Sequence, residues 1–168
     1  AAKIAAMRPD VHFLYVGKRY SRKDEAVAFE QDLLRATTRA PLNGRFHFLG
    51  VRDDVELVLN EITLYVHAAR QEPLGRVLLE AGAAATAIIA TDVGGTKEIF
   101  PTSSGCAELV PPASSSALAT AMERLLNSPH SRRTMGSNAR RRVASAFDAE
   151  TAARALARVY RNIGTTTP

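Results

Sequence analysis

Cysteine, aromatic residues and long apolar runs are all scarce in this chain, and each scarcity removes a class of protein. A single cysteine, Cys106, in 168 residues excludes an internal disulfide and agrees with a reducing compartment. No histidine lies near it in sequence, so it reads as a small packing residue rather than a nucleophile. No run approaches the roughly 18 apolar residues of a membrane span, and no signal peptide is visible. Aromatics make up 6% of the chain, and none is interleaved with its basic clusters. Base stacking is therefore unsupported, and a nucleic-acid partner is not expected. Internal repeats and low-complexity segments are also missing.

What is present is ordinary for a globular domain: 46% hydrophobic and 23% charged residues. The length predicts one domain over residues 1–168, large enough to bury a core. Net charge is +5, from 22 basic and 17 acidic residues. Arg132, Arg133, Arg140, Arg141 and Arg142 hold much of the excess. They read first as a solvated helix face, with weak contact to anionic lipid as the lesser reading. The expected location is cytoplasmic, with attachment at the periphery of a membrane as its variant. Ala1–Met7 has the composition of a helix tail, so an excised piece of a longer protein is expected.

The hydrophobic pattern alternates strand and helix. Short apolar runs at His12–Gly17, Arg45–Gly50, Ile62–His67, Ala87–Thr91 and Ala107–Val110 predict five strands. Helices are expected from Arg22 to Ala40, capped by Ser21 and with Ala26, Phe29, Leu33 and Ala36 on one face. Others are expected after Asp54, from Arg76 to Ala85, briefly after Gly94-Gly95, after Ser114, and over Ser131–Ala146 and Ala149–Ile163. Thr165–Thr167 should fray. Such alternation implies an α/β fold, a Rossmann-like doubly wound parallel sheet with ligands at the carboxyl ends of its strands. Gly17, Gly50, Gly75 and Gly94-Gly95 all follow strands and would gather at that edge.

One stretch carries the chemistry: Gln71-Glu72-Pro73-Leu74-Gly75-Arg76-Val77-Leu78-Leu79-Glu80. Pro73 and Gly75 fall where a helix begins, a position that tolerates proline because its missing N–H would be unpaired anyway. The backbone N–H groups of Leu74, Gly75 and Arg76 would face an anion at the helix mouth. Glu72 and Glu80 bracket that mouth, the second about 7.5 Å of helical rise beyond Gly75. A sugar, a diphosphate and a ribose could lie along it in sequence. Arg76 could add charge, Gly94-Gly95 offers either a second helix mouth or a tight turn, and His67 reads as a satisfied strand-end histidine.

The pattern Glu72-Pro73-Leu74-Gly75-x4-Glu80-Ala81, followed by Ala90-Thr91-Asp92-Val93-Gly94-Gly95-Thr96-x-Glu98-Ile99, resembles the donor-binding half of the group-1 (family 4) retaining glycosyltransferases. The likeness runs from about His12 to Phe147. It implies the C-terminal half of a GT-B fold and a nucleoside diphosphate sugar as donor. No metal or other cofactor is implied, because helix dipole and cationic side chains would neutralise the leaving diphosphate. By resemblance Glu72 is the catalytic residue, lying against the transferred sugar where a carboxylate can bind hydroxyls or stabilise an oxocarbenium-like transition state, Glu80 takes the ribose hydroxyls, and Val51 and Arg52 border the nucleobase. Lys18 and Arg19 stand where relatives have an acid–glycine pair. The acceptor-binding domain would precede Ala1, together with a central strand carrying basic donor contacts. Without that strand, unpaired edges are expected on the strands at His12 and Ile62, and with them self-association or strand exchange. A sugar-nucleotide epimerase and a non-catalytic interaction module compete with this reading.

Overall fold

A computed structural model describes residues 1–164, so the Thr165–Thr167 tail lies outside the described residues. The chain divides into two compact units, Ala1–Val55 and Glu56–Pro168.

In the first unit, helix α1 (Ala2–Met7) leads to strand β1 (Phe13–Val16), helix α2 (Asp24–Thr37) and strand β2 (Phe46–Gly50). The two strands pair in parallel, Phe13 beside Phe46 and Tyr15 beside Phe48, with their rings stacked or tilted together across the strands. Arg45 ties the unit's amino-terminal end down. Its guanidinium donates to the carbonyls of Ala5, Arg8 and Pro41, beside the buried Ile4, Ala5 and Leu42. Two sequence expectations for α2 need correction. Ser21 is not its cap: the helix starts at Asp24 behind Lys23, and Ser21 Oγ accepts only from the Lys23 amide. The covered face is also turned. Ala26, Val27, Glu30, Leu33 and Thr37 face inward, whereas Phe29 and Ala36 are exposed. Glu30 is drawn in by Arg19, whose Nε donates to it at 2.8 Å.

The second unit carries helix α3 (Val55–Glu61, begun at the unit boundary), strand β3 (Tyr65–His67), helix α4 (Arg76–Ala83), strand β4 (Ile88–Thr91), helix α5 (Thr96–Ile99) and strand β5 (Glu108–Val110). Helices α6 (Ser115–Leu126), α7 (Pro129–Ala146) and α8 (Ala149–Gly164) complete it. β3, β4 and β5 form a parallel sheet in that order. All four residues of β4 are buried, as expected of a central strand covered on both faces. Ser114 caps α6, its Oγ accepting from the Ala117 amide. Among the described residues no helix is long and apolar enough to cross a membrane.

All five predicted strands are present and parallel, but they form two sheets, β1-β2 and β3-β4-β5. Among the described residues, β1 has β2 as its one neighbour and β3 has β4. Each therefore keeps one unpaired edge. Gly82 marks where helix α4 packs closely on another helix. A Cβ there would meet Val143 of α7 at 2.7 Å and the Phe100 ring at 3.1 Å, so the close approach is between helices.

Candidate functional site

Successive strand residues face opposite sides, so Tyr65 and His67 of β3 share a face. They are joined there: Tyr65 Oη lies 3.1 Å from His67 Nδ1. The other ring nitrogen, Nε2, lies 3.1 Å from Glu72 Oε2, in a half-buried setting where the two side chains are 14% and 21% exposed. The second carboxylate oxygen, Oε1, accepts from the Gly75 amide at 2.7 Å and the Leu74 amide at 3.3 Å. Glu72 thus spans the gap between the end of β3 and the start of α4, gripped from both.

This geometry revises the expected cradle. Helix α4 begins at Arg76, so Pro73 is not at a first helical position but in the bend before the helix. Gly75 is the residue before the helix, left-handed at φ 80°. A Cβ on Gly75 would be strained there and would press on Leu78 and the Glu72 side chain rather than on an anion. Two of the three amides assigned to the anion, those of Leu74 and Gly75, already serve Glu72. Among the described residues the amides of Arg76 and Val77 have no protein acceptor, so the mouth of α4 has donors to offer. Arg76 is exposed, and no acid reaches its guanidinium among the described residues.

Tyr65 keeps its phenolic proton well above the usual range, first because it is buried and then because the charges of Glu80 and Glu72 oppose a phenolate beside them. Glu80 itself is exposed and free to meet a ligand.

Gly94-Gly95 supports this loop. A Cβ on Gly94, which sits at φ 50°, would lie 1.9 Å from the Glu72 carbonyl oxygen, and one on Gly95 would lie 2.7 Å from that of Pro73. The Gly95 amide donates to the Glu72 carbonyl at 3.1 Å. Of the two readings offered for this pair, the close turn against the Glu72 loop is the one the contacts support. Thr91, buried at the end of β4, donates from Oγ to the Ala69 carbonyl at 2.6 Å and fixes the loop from the other side. In α5, Thr96 Oγ is a buried side-chain oxygen without a hydrogen-bond partner among the described residues.

Gly17, Val51 and Arg52 belong to the first unit. There Gly17 and Gly50 adjoin at the carboxyl ends of β1 and β2, with Gly17 N–H donating to the Gly50 carbonyl at 2.7 Å. Val51 is exposed, and Arg52 holds Asp54 through both Nε and Nη2. That pairing keeps the Asp54 carboxyl below its ordinary range. Of the two cations at the acid–glycine position, Lys18 lies over the Tyr20 ring at 5.0 Å and Arg19 pairs with Glu30. Both are accounted for within the unit.

Sequence reading left Tyr65 and Thr91 without a role, while His67 is the satisfied strand-end histidine it was expected to be, with both ring nitrogens hydrogen-bonded. The available signal was the period-2 spacing of Tyr65 and His67 on a strand whose end points at Glu72. Among the described residues no group of three or more His, Cys, Asp or Glu converges as a metal site would. A cavity of about 210 Å³ lined by Leu59, Ile62, Thr86, Pro129 and Arg132 lies toward the amino ends of β3 and β4, away from the Glu72 loop.

The second unit is thus a parallel α/β sheet with an acid-bearing loop and an open helix mouth at the carboxyl ends of its strands. Over residues 1–142 the chain matches the Glycosyl transferases group 1 family, and it belongs to that family. It is 33% identical over 139 residues to the lipopolysaccharide core biosynthesis mannosyltransferase LpcC of Rhizobium leguminosarum bv. viciae, covering 83% of this chain and 39% of that protein. The crystal structure of Anabaena Alr3699/HepE in complex with UDP superposes with a TM-score of 0.85 at 26% identity, over 95% of this chain and 43% of the other. A C-terminal domain of a group 1 glycosyl transferase (LpcC) from Francisella tularensis shares the fold, with a TM-score of 0.69 at 17% identity over 89% of this chain and 94% of that domain. The chain thus spans less than half the length of the two full-length relatives.

Proposed function

We propose that residues 1–168 form a single nucleotide-sugar-binding domain, the donor half of a retaining glycosyltransferase that moves a hexose from a nucleoside diphosphate sugar. The observation that carries this reading is Glu72 held by the Leu74 and Gly75 amides at the start of α4, with the Arg76 and Val77 amides open beside it and Glu80 exposed further along the helix. In it, the diphosphate lies at the Arg76 and Val77 amides, where the helix dipole and the Arg76 guanidinium offset its charge. Glu72 faces the transferred sugar and Glu80 the ribose hydroxyls. By resemblance to the family, Val51 and Arg52 are assigned to the nucleobase and Gly17 to donor binding. Gly94 and Gly95 act through the Glu72 loop. No metal or other cofactor is needed, since cationic and dipolar groups take its place.

The UDP bound to the Anabaena relative supports a nucleoside diphosphate as ligand. The Rhizobium mannosyltransferase supports a polysaccharide or glycolipid product. In this reading a separate acceptor-binding domain completes the active site, and the enzyme works in the cytoplasm, in weak contact with anionic lipid at most. Family membership favours sugar transfer over an epimerase or a non-catalytic module. The test is calorimetric titration with UDP, GDP and ADP and with their sugars. Saturable binding of one series supports the reading, and the absence of binding by all of them overturns it.

A further inference from the structure

We propose that His67, oriented by Tyr65, is a positioning residue: it holds Glu72 so that a single acceptor position of the carboxylate is aimed at the sugar of the donor. This gives the site its preference for a nucleotide sugar over the free nucleoside diphosphate, and it rests on the donor-site reading above.

The argument begins with what a carboxylate can do. An ionised carboxylate only accepts hydrogen bonds, and it has about four lone-pair positions. Two of them on Glu72 are taken by the Leu74 and Gly75 amides, and a third by His67. About one remains to meet a sugar hydroxyl. Because Glu72 cannot donate, the proton between it and His67 must sit on Nε2. In a neutral imidazole Nδ1 is then the acceptor, and Tyr65 is the group that donates to it. Tyr65 is suited to that task because its surroundings keep its proton in place. Every proton in the series Tyr65–His67–Glu72 therefore has one assigned position, and the glutamate is not free to turn.

An unheld glutamate would have to give up its rotamer freedom when the sugar arrives. Here that freedom is removed before binding, as outer-shell partners do for a metal-bound histidine. The diphosphate gains nothing from this, since it meets the amides of α4. The advantage belongs to the sugar alone.

Calorimetric affinities for UDP against UDP-glucose, and for GDP against GDP-mannose, test this in four variants beside the unaltered protein. His67→Ala should lower the ratio of nucleotide-sugar to free-nucleotide affinity about tenfold, or about 1.4 kcal/mol. Binding of the free nucleotide should fall by less than about threefold. His67→Gln should restore the ratio, because its amide nitrogen reaches where Nε2 stood. His67→Asn should not, because its amide reaches only the Nδ1 position. Tyr65→Phe should lower the ratio about threefold by freeing the other tautomer. If His67→Ala fails to fold, the contrast between Gln and Asn decides alone. Equal ratios in all variants, or equal behaviour of Gln and Asn, overturn the positioning role while leaving the donor site intact. No binding of any nucleotide by the unaltered protein overturns both.

Discussion

At Gly94 a single hydrogen stands where any side chain would collide with the Glu72 carbonyl. Gly94→Ala is therefore expected to push the Glu72 loop away and to weaken nucleotide-sugar binding at least tenfold, about 1.4 kcal/mol, by calorimetry. Far-UV circular dichroism should stay close to that of the unaltered protein. Thr96 offers the opposite case, a buried hydroxyl with nothing to bond. Replacing it by isosteric valine removes that desolvation penalty, and Thr96→Val should stabilise the protein by about 1 kcal/mol in chemical denaturation. Tyr65 makes stability depend on alkaline pH. Its proton is held tightly in the folded protein but leaves the unfolded chain from about pH 10. Above that pH the unfolded state binds fewer protons, so stability falls as pH rises, by up to about 1.4 kcal/mol per pH unit. Below it both states are protonated and the residue contributes no slope. Tyr65→Phe should show a shallower loss of stability above pH 10, read from denaturation midpoints between pH 9 and pH 11.

At the scale of elements, the second unit depends on α4 lying directly against α7. Gly82 meets Val143 and Phe100, and a Cβ on Gly136 would stand 1.9 Å from the Ala85 carbonyl oxygen. Backbone cannot yield there as a side-chain tip could. Gly136→Ala should destabilise the unit by about 1–3 kcal/mol, despite alanine's better helix propensity, and a lowered thermal midpoint would register it. Because α4 carries both Glu80 and the amides beside Glu72, the same substitution should also weaken donor binding. Most elements were legible from pattern alone, since strands bracketed by glycine turns and helices with 3.6-residue periodicity announce themselves. The face of α2 was not. Apolar spacing favoured Phe29, but Arg19 recruits Glu30 and leaves Phe29 exposed. Pairing between residues eleven positions apart across a loop leaves no periodic trace.

For the whole molecule, the open edges of β1 and β3 dominate. Unpaired backbone on a strand is a template for another strand. The protein on its own is expected to self-associate or exchange strands, seen as a concentration-dependent mass in size-exclusion chromatography with light scattering. A constant monomer mass up to about 100 μM, well above the micromolar range of weak association, would contradict this. Helix α8 adds a second unsatisfied surface. Every residue of it described for burial is exposed, and Leu156, Val159, Tyr160 and Ile163 share one stripe. Its other face carries Arg154, Arg158 and Arg161. Residues 129–164 hold eight arginines against Asp148 and Glu150, a net charge of +6 that exceeds the +5 of the entire chain. The basic character is thus a property of the last two helices and not of the Glu72 loop.

By itself the sequence determined the α/β class, the parallel strands, the two acids and the glycine turns, because each depends on local pattern and short spacing. Tertiary structure alone decided that Glu72 occupies the first amides of the helix mouth, that His67 and Tyr65 stand behind it, and that Gly94 lies under its carbonyl. Those relations join residues from different strands and loops through hydrogen bonds whose partners are chosen by direction and distance. Neither is written in the order of the chain.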